Sequence, residues 1–107
     1  MNLINPGNTE INAYCYVAAE DGSPSITKAK GVTSITDSGV GQYTVNMTAL
    51  ASADYSWAGS VVSTHGNAGM FCIWEVDTRS TTALPVRIST NSNTAIDADF
   101  SLLITGA

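Results

Sequence analysis

Apolar and polar residues alternate with a period of two along most of this chain, while the three-four spacing of an amphipathic helix is nearly absent, so the pattern predicts strands. The first is Ile11 to Ala18 (INAYCYVA), in which Ile11, Ala13, Cys15 and Val17 form one face against Asn12, Tyr14 and Tyr16. EDGSP, from Glu20 to Pro24, ends it with turn chemistry. A second run, Ser25 to Thr36, carries Gly31 in its middle, where a bulge or bend would let the strand change direction. In TDSGVGQ, Asp37 and Ser38 can bond their own backbone while Gly39 and Gly41 supply positive φ, so the chain reverses into Gln42 to Thr48. There Tyr43, Val45 and Met47 alternate with Gln42, Thr44, Asn46 and Thr48.

The second half repeats the theme. Tyr55 to Ser63 places Tyr55, Trp57 and Val61 on one face and Ala58 and Val62 on the other. Met70 to Asp77 (MFCIWEVD) is apolar on both sides, as a strand covered on two faces would be. Pro85 marks the start of a strand in which Val86, Ile88 and Thr90 oppose Arg87, Ser89 and Asn91, and Phe100, Leu102 and Ile104 face inward on the last strand, Phe100 to Thr105. About seven short strands separated by turns read as an all-β fold, an antiparallel β-sandwich or jelly-roll-like single domain. The sandwich is expected over residues 11–107, preceded by an extended arm over 1–10, where Leu3 and Ile4 form a small apolar hook beside Asn5 and Pro6.

Composition changes the picture in two ways. Charged residues are only 12% of the 107, about half the usual share, so Ser, Thr and Asn must cover much of the surface. The net charge of −5, with only Lys28, Lys30, Arg79 and Arg87 as bases, argues against nucleic acid, whose affinity comes from Lys and Arg displacing counterions. No apolar run approaches a membrane span, and the first residues lack a signal-peptide pattern, so a soluble chain made in the cytoplasm is expected. Cys15 and Cys72 read as two buried thiols, or as a disulfide if their strands are neighbours in an oxidising compartment.

Catalytic chemistry finds little support. His65, the sole histidine, lies in a polar turn, and no serine has a nucleophile-elbow context. Asp97 and Asp99 are the nearest approach to a paired oxygen site, with Asp54, Glu75 and Asp77 able to join only if the fold gathers them; the plainer reading is solvated loop carboxylates. Glu75 and Asp77 share one side of a strand but lack the setting of a glycosidase pair. The expectation is a non-enzyme with no catalytic residues, no metal site and no cofactor.

One stretch resembles a known module. VTSITDSGVGQYTVNMTALASADYSW is similar to a recurrent segment of tailed-bacteriophage virion proteins, approximately V-S-S-I-T-D-N-G-x-G-x-Y-T-V-N-F-T-x-A-M-P-x-A-x-Y. Val32, Ser34, Ile35, Thr36, Asp37, Gly39, Gly41, Tyr43, Thr44, Val45, Asn46, Thr48, Ala53 and Tyr55 fall on the pattern, while Met47, Leu50 and Ala51 depart from it. The resemblance implies a β-rich, often trimeric virion surface domain, tail-fibre-like or capsid-decorating, with no catalytic residues.

Exposed sheet edges on a weakly charged domain invite pairing with other chains, and a symmetric oligomer is the common way to cover them. A homotrimer is therefore expected, with Cys72, Trp74 and Val76 at its interface together with Tyr14 and Tyr16. Without repeats, heptads or a shaft, the chain reads as a compact knob on the capsid surface of the virion, a decoration or cement protein stabilising the major capsid protein lattice. Leu3, Ile4, Asn5 and Pro6 would be its capsid-contacting arm, adding avidity. The alternative is a receptor-binding knob that presents Tyr55 and Trp57, or the STHGNAG loop, to a host glycan.

Overall fold

The alternation read from the sequence becomes two antiparallel sheets. The computed structural model describes residues 11–62, 79–90 and 92–107, together with the strand path of 69–73. Among these residues the strands are β1 (Ile11–Ala18), β2 (Ser25–Lys30), β3 (Val32–Gly39), β4 (Gln42–Met47), β5 (Ser56–Val62), β6 (Gly69–Ile73), β7 (Ala83–Thr90) and β8 (Asp99–Thr105). The first sheet has the order β2-β1-β8-β5 and the second β3-β4-β7-β6. The protein is thus an all-β antiparallel sandwich. The arm, His65, Trp74, Glu75, Val76 and Asp77 lie outside the described residues.

Gly31 divides what reads in sequence as one long run. It adopts φ of +71°, and a Cβ there would sit 2.9 Å from the carbonyl oxygen of Asn12. Only a residue without a side chain turns this corner without strain, so β2 ends in one sheet and β3 begins in the other. The TDSGVGQ reversal takes the expected form: Asp37 Oδ1 accepts the Gly39 N–H at 3.1 Å, and Gly39 and Gly41 both have positive φ.

The core lies between the sheets. Ala13, Cys15 and Val17 from β1 and Phe100, Leu102 and Ile104 from β8 meet Tyr43, Val45 and Met47 from β4 and Leu84, Val86 and Ile88 from β7. Tyr43 and Phe100 bridge the layers, their ring centroids 5.5 Å apart and stacked at 28°. Tyr55 is buried as well, and Trp57 and Val61 pack against the core.

Three local expectations change. Ile11 does not join Ala13 and Cys15 inside: a register shift between Ile11 and Ala13 pairs Ile11 with Thr105 and turns it outward, 42% exposed. One extra residue in a strand is enough to exchange its faces. Pro85 stands at the third position of β7, not its start. Ile88 N–H bonds Gly41 O and Met47 N–H bonds Thr82 O, so even-numbered residues of β7 serve the β4 ladder and Pro85 turns its nitrogen away from that ladder. Cys15 is a free, buried thiol, and β1 and β6 belong to different sheets, which leaves the Cys15–Cys72 disulfide without a neighbouring pair of strands.

Candidate functional site

Asp97 and Asp99, the pair that resembles an oxygen site in sequence, are hydrogen-bond anchors. Asp97 Oδ1 accepts the Gly41 N–H at 3.0 Å and also the Tyr43 hydroxyl, which ties the turn before β4 to the approach to β8. Asp99 Oδ1 accepts the N–H groups of Ala19 at 2.9 Å and Glu20 at 3.1 Å, and Tyr16 donates to Oδ2 at 3.5 Å. They are therefore not solvated loop carboxylates. Among the described residues no three His, Cys, Asp or Glu side chains converge to hold a metal ion.

Tyr55 and Trp57 are not presented as a recognition pair. Tyr55 is 4% exposed, its hydroxyl donates to Ser80 O at 3.2 Å, and the Arg79 guanidinium lies 5.1 Å from its ring centre while donating to Tyr55 O at 3.3 Å. Burial holds the Tyr55 phenol above its usual range, opposed by the Arg79 charge. Tyr43 is pushed up more strongly, by burial first and then by bonding to Asp97 and by the charges of Asp97, Asp37 and Asp21.

Among the described residues no buried side-chain nitrogen or oxygen lacks a partner, which leaves the outer faces to offer unpaired polar groups. The two faces differ in kind. On the second sheet, Asn46 Nδ2 donates to Ser34 Oγ at 3.0 Å and to Thr36 Oγ1 at 2.9 Å, and Arg87 donates to Asn93 Oδ1 at 2.6 Å. This face is a mesh of hydroxyls and amides already bonded to one another. Ser34, Thr36 and Asn46 of this mesh belong to the β3–β4 hairpin.

The first sheet is drier. Its outward rows follow from the register: Lys28, Tyr16, Ser101 and Ser60 form one, and Lys30, Tyr14, Leu103 and Ala58 the next. Ile11, Tyr14, Val62 and Leu103, four of the five exposed large apolar side chains among the described residues, all emerge here. Bulky Tyr14, Tyr16 and Leu103 rise beside small Ala58 and Ser60 on β5, with the Gly59 backbone between them, and the height difference leaves an open concavity of about 410 Å³. Ser60 and Ser101 share a hydroxyl bond of 2.8 Å at its side. Among the described residues neither the Tyr14 hydroxyl nor the Lys28 ammonium has a partner.

Of the residues expected at an oligomer interface, Trp74 and Val76 lie outside the described residues. Tyr14 and Tyr16 project from the first sheet, whereas Cys72 pairs with Arg87 in the second. The groove escapes sequence reasoning because β2, β1, β8 and β5 each contribute residues that are unremarkable alone. The usable signal was the run Ala58-Gly59-Ser60, a low stretch in a strand otherwise flanked by large side chains.

Comparison with protein-family models, with curated proteins and with solved structures returns no match. The geometry of this face therefore carries the functional argument.

Proposed function

We propose that this protein is a non-enzymatic surface component of a bacteriophage virion that recognises a glycan through the outer face of its first sheet. The observation that carries the reading is the concavity lined by Tyr14, Tyr16, Lys28, Ser60, Ser101 and Leu103. Its volume falls within the range of about 300–1,000 Å³ common to small-molecule sites, and its apolar body with a few convergent polar groups has their usual character. The phage setting rests on the resemblance of the Val32 to Tyr55 segment. The site lies on the other sheet from that hairpin, so one region supports the setting and another the binding.

A second reading has its own support. Ile11, Tyr14, Val62 and Leu103 make this face the apolar side of the domain. A capsid decoration protein would bury such a face against the major capsid protein and leave the hydroxyl and amide mesh in water. Copy number per virion separates the two, measured by mass spectrometry of purified particles against the major capsid protein. The recognition reading expects a handful of copies at a tail or spike. Hundreds would make decoration the function, and absence from the particle would overturn both.

A further inference from the structure

We propose that the groove on the first sheet reads an acidic sugar, a pyranose carrying a carboxylate within a surface polysaccharide; this inference rests on the recognition reading of that face. The argument begins with charge. The chain carries a net −5, yet among the described residues the one charged side chain lining the groove is Lys28. Its ammonium is exposed and has no partner among the described residues. Lys30 stands in the next row beside Tyr14, with its Nζ donating to Ile11 O at 2.8 Å. Asp99 emerges on the same face one outward position from Ser101, with Oδ1 held by the Ala19 and Glu20 N–H groups and Oδ2 by the Tyr16 hydroxyl. An anion repelled by most of the surface meets its complement here.

The rest of the lining selects among anions. A phosphate would need several converging donors, and the groove offers one ammonium. A simple fatty acid would leave the Ser60 and Ser101 hydroxyls facing hydrocarbon. A sugar ring matches both kinds of surface at once: its C–H face lies on the Tyr14 ring, 40% exposed, and on Leu103, while its hydroxyls exchange hydrogen bonds with the paired serines. Ala58 and Ser60, the outward positions of β5 here, are too short to hold the ring away from the sheet. The carboxylate then reaches Lys28 in a charge-assisted bond.

The test is an NMR titration of the isolated protein with oligogalacturonate, with the neutral galactose oligomer as control. Saturable shifts at Tyr14, Lys28, Ser60 and Ser101 are expected with the acidic probe. Lys28→Gln should weaken that binding about fivefold, and Tyr14→Ala should abolish it, with thermal melting of both exposed-site variants unchanged. Equal binding of the neutral oligomer, insensitive to Lys28→Gln, would overturn the acidic-sugar inference while leaving glycan recognition standing. Equal saturation of the same residues by polyglutamate would overturn it too, since a carboxylate alone would then suffice. No saturable shift with either oligosaccharide would remove both the inference and the reading beneath it.

Discussion

Tyr43 and Asp97 are 54 residues apart in the chain, yet the Tyr43 hydroxyl donates to Asp97 Oδ1 beneath the turn that opens β4. The same carboxylate oxygen takes the Gly41 N–H at 3.0 Å. A single side chain on the crossover between β7 and β8 therefore fixes the turn between β3 and β4, which lies beside the end of β7. Asp97→Ala removes both acceptor contacts and leaves a phenol and a backbone N–H unpaired, at a cost of about 3 kcal/mol. Tyr43→Phe keeps the Gly41 bond and should cost about 1 kcal/mol. Urea unfolding of the two variants checks the order, and equal losses would mean that Asp97 acts through Tyr43 alone.

Gly41 has less freedom than Gly31. A Cβ at Gly41 would stand 2.4 Å from Ile88 O and 2.7 Å from Ile96 O, at φ of +67°. Those carbonyls belong to β7 and to the crossover, and Gly41 O itself accepts the Ile88 N–H at 2.7 Å, so the backbone cannot withdraw cheaply. Gly41→Ala should lose more than about 3 kcal/mol, whereas Gly31→Ala, with a single tight contact to Asn12 O, should lose about 1–2 kcal/mol. Denaturation midpoints of the pair measure the difference.

High pH should weaken the fold. Burial raises the Cys15 thiol from 9.0 to about 11, and the Tyr43 and Tyr55 phenols are raised as well. Below the unfolded value both states keep the thiol proton. Between about 9 and about 11 only the unfolded chain releases it, so folding stability from this group declines by up to about 1.4 kcal/mol per pH unit. Cys15→Val should flatten the decline measured between about pH 8 and about pH 10, leaving the tyrosine contribution at higher pH. In the native protein Cys15 should also resist a thiol-specific reagent until denaturant is added, since the thiol is buried and held protonated.

Asp99 fixes the exit of β1. Its Oδ1 gathers the N–H groups of Ala19 and Glu20, so Asp99→Ala should cost about 2 kcal/mol while Asp99→Asn, which keeps a carbonyl acceptor, should cost about half as much. With Oδ1 committed to the backbone and Oδ2 to the Tyr16 hydroxyl, melting temperature should be unchanged on adding calcium or a chelator. A rise of several degrees with calcium would identify a cation site at the Asp97–Asp99 segment.

Much of the architecture was legible because burial on one face imposes a local period of two. The β1 limits, Ile11 to Ala18, and the inward set Tyr43, Val45 and Met47 came from that period alone. Gly31 announced a change of direction, although its sequence did not say that the change was a passage between sheets. Ile11 was placed on the wrong face because its bulge is defined by pairing with Thr105, at the far end of the chain. Asp97 and Asp99 looked like loop carboxylates because their hydrogen-bond partners lie 54 to 83 residues away. The groove was hidden for the same reason: the local pattern gives a strand its faces, but only the register between strands decides which side chains become neighbours.

The start of β1 lies beside the end of β8. Ile11 faces Thr105, and the Ala107 N–H closes on Asn12 Oδ1 at 3.0 Å although the two residues are 95 positions apart. Because ladder bonds in an antiparallel pair run across the strands, tension applied between Ile11 and Ala107 would peel β1 from β8 like a zipper, one bond after another, and not load the whole ladder in shear. A domain wired this way yields readily when pulled by these two points and resists far better when force enters through its sheet faces. Mechanical strength in this protein is thus a matter of where it is gripped.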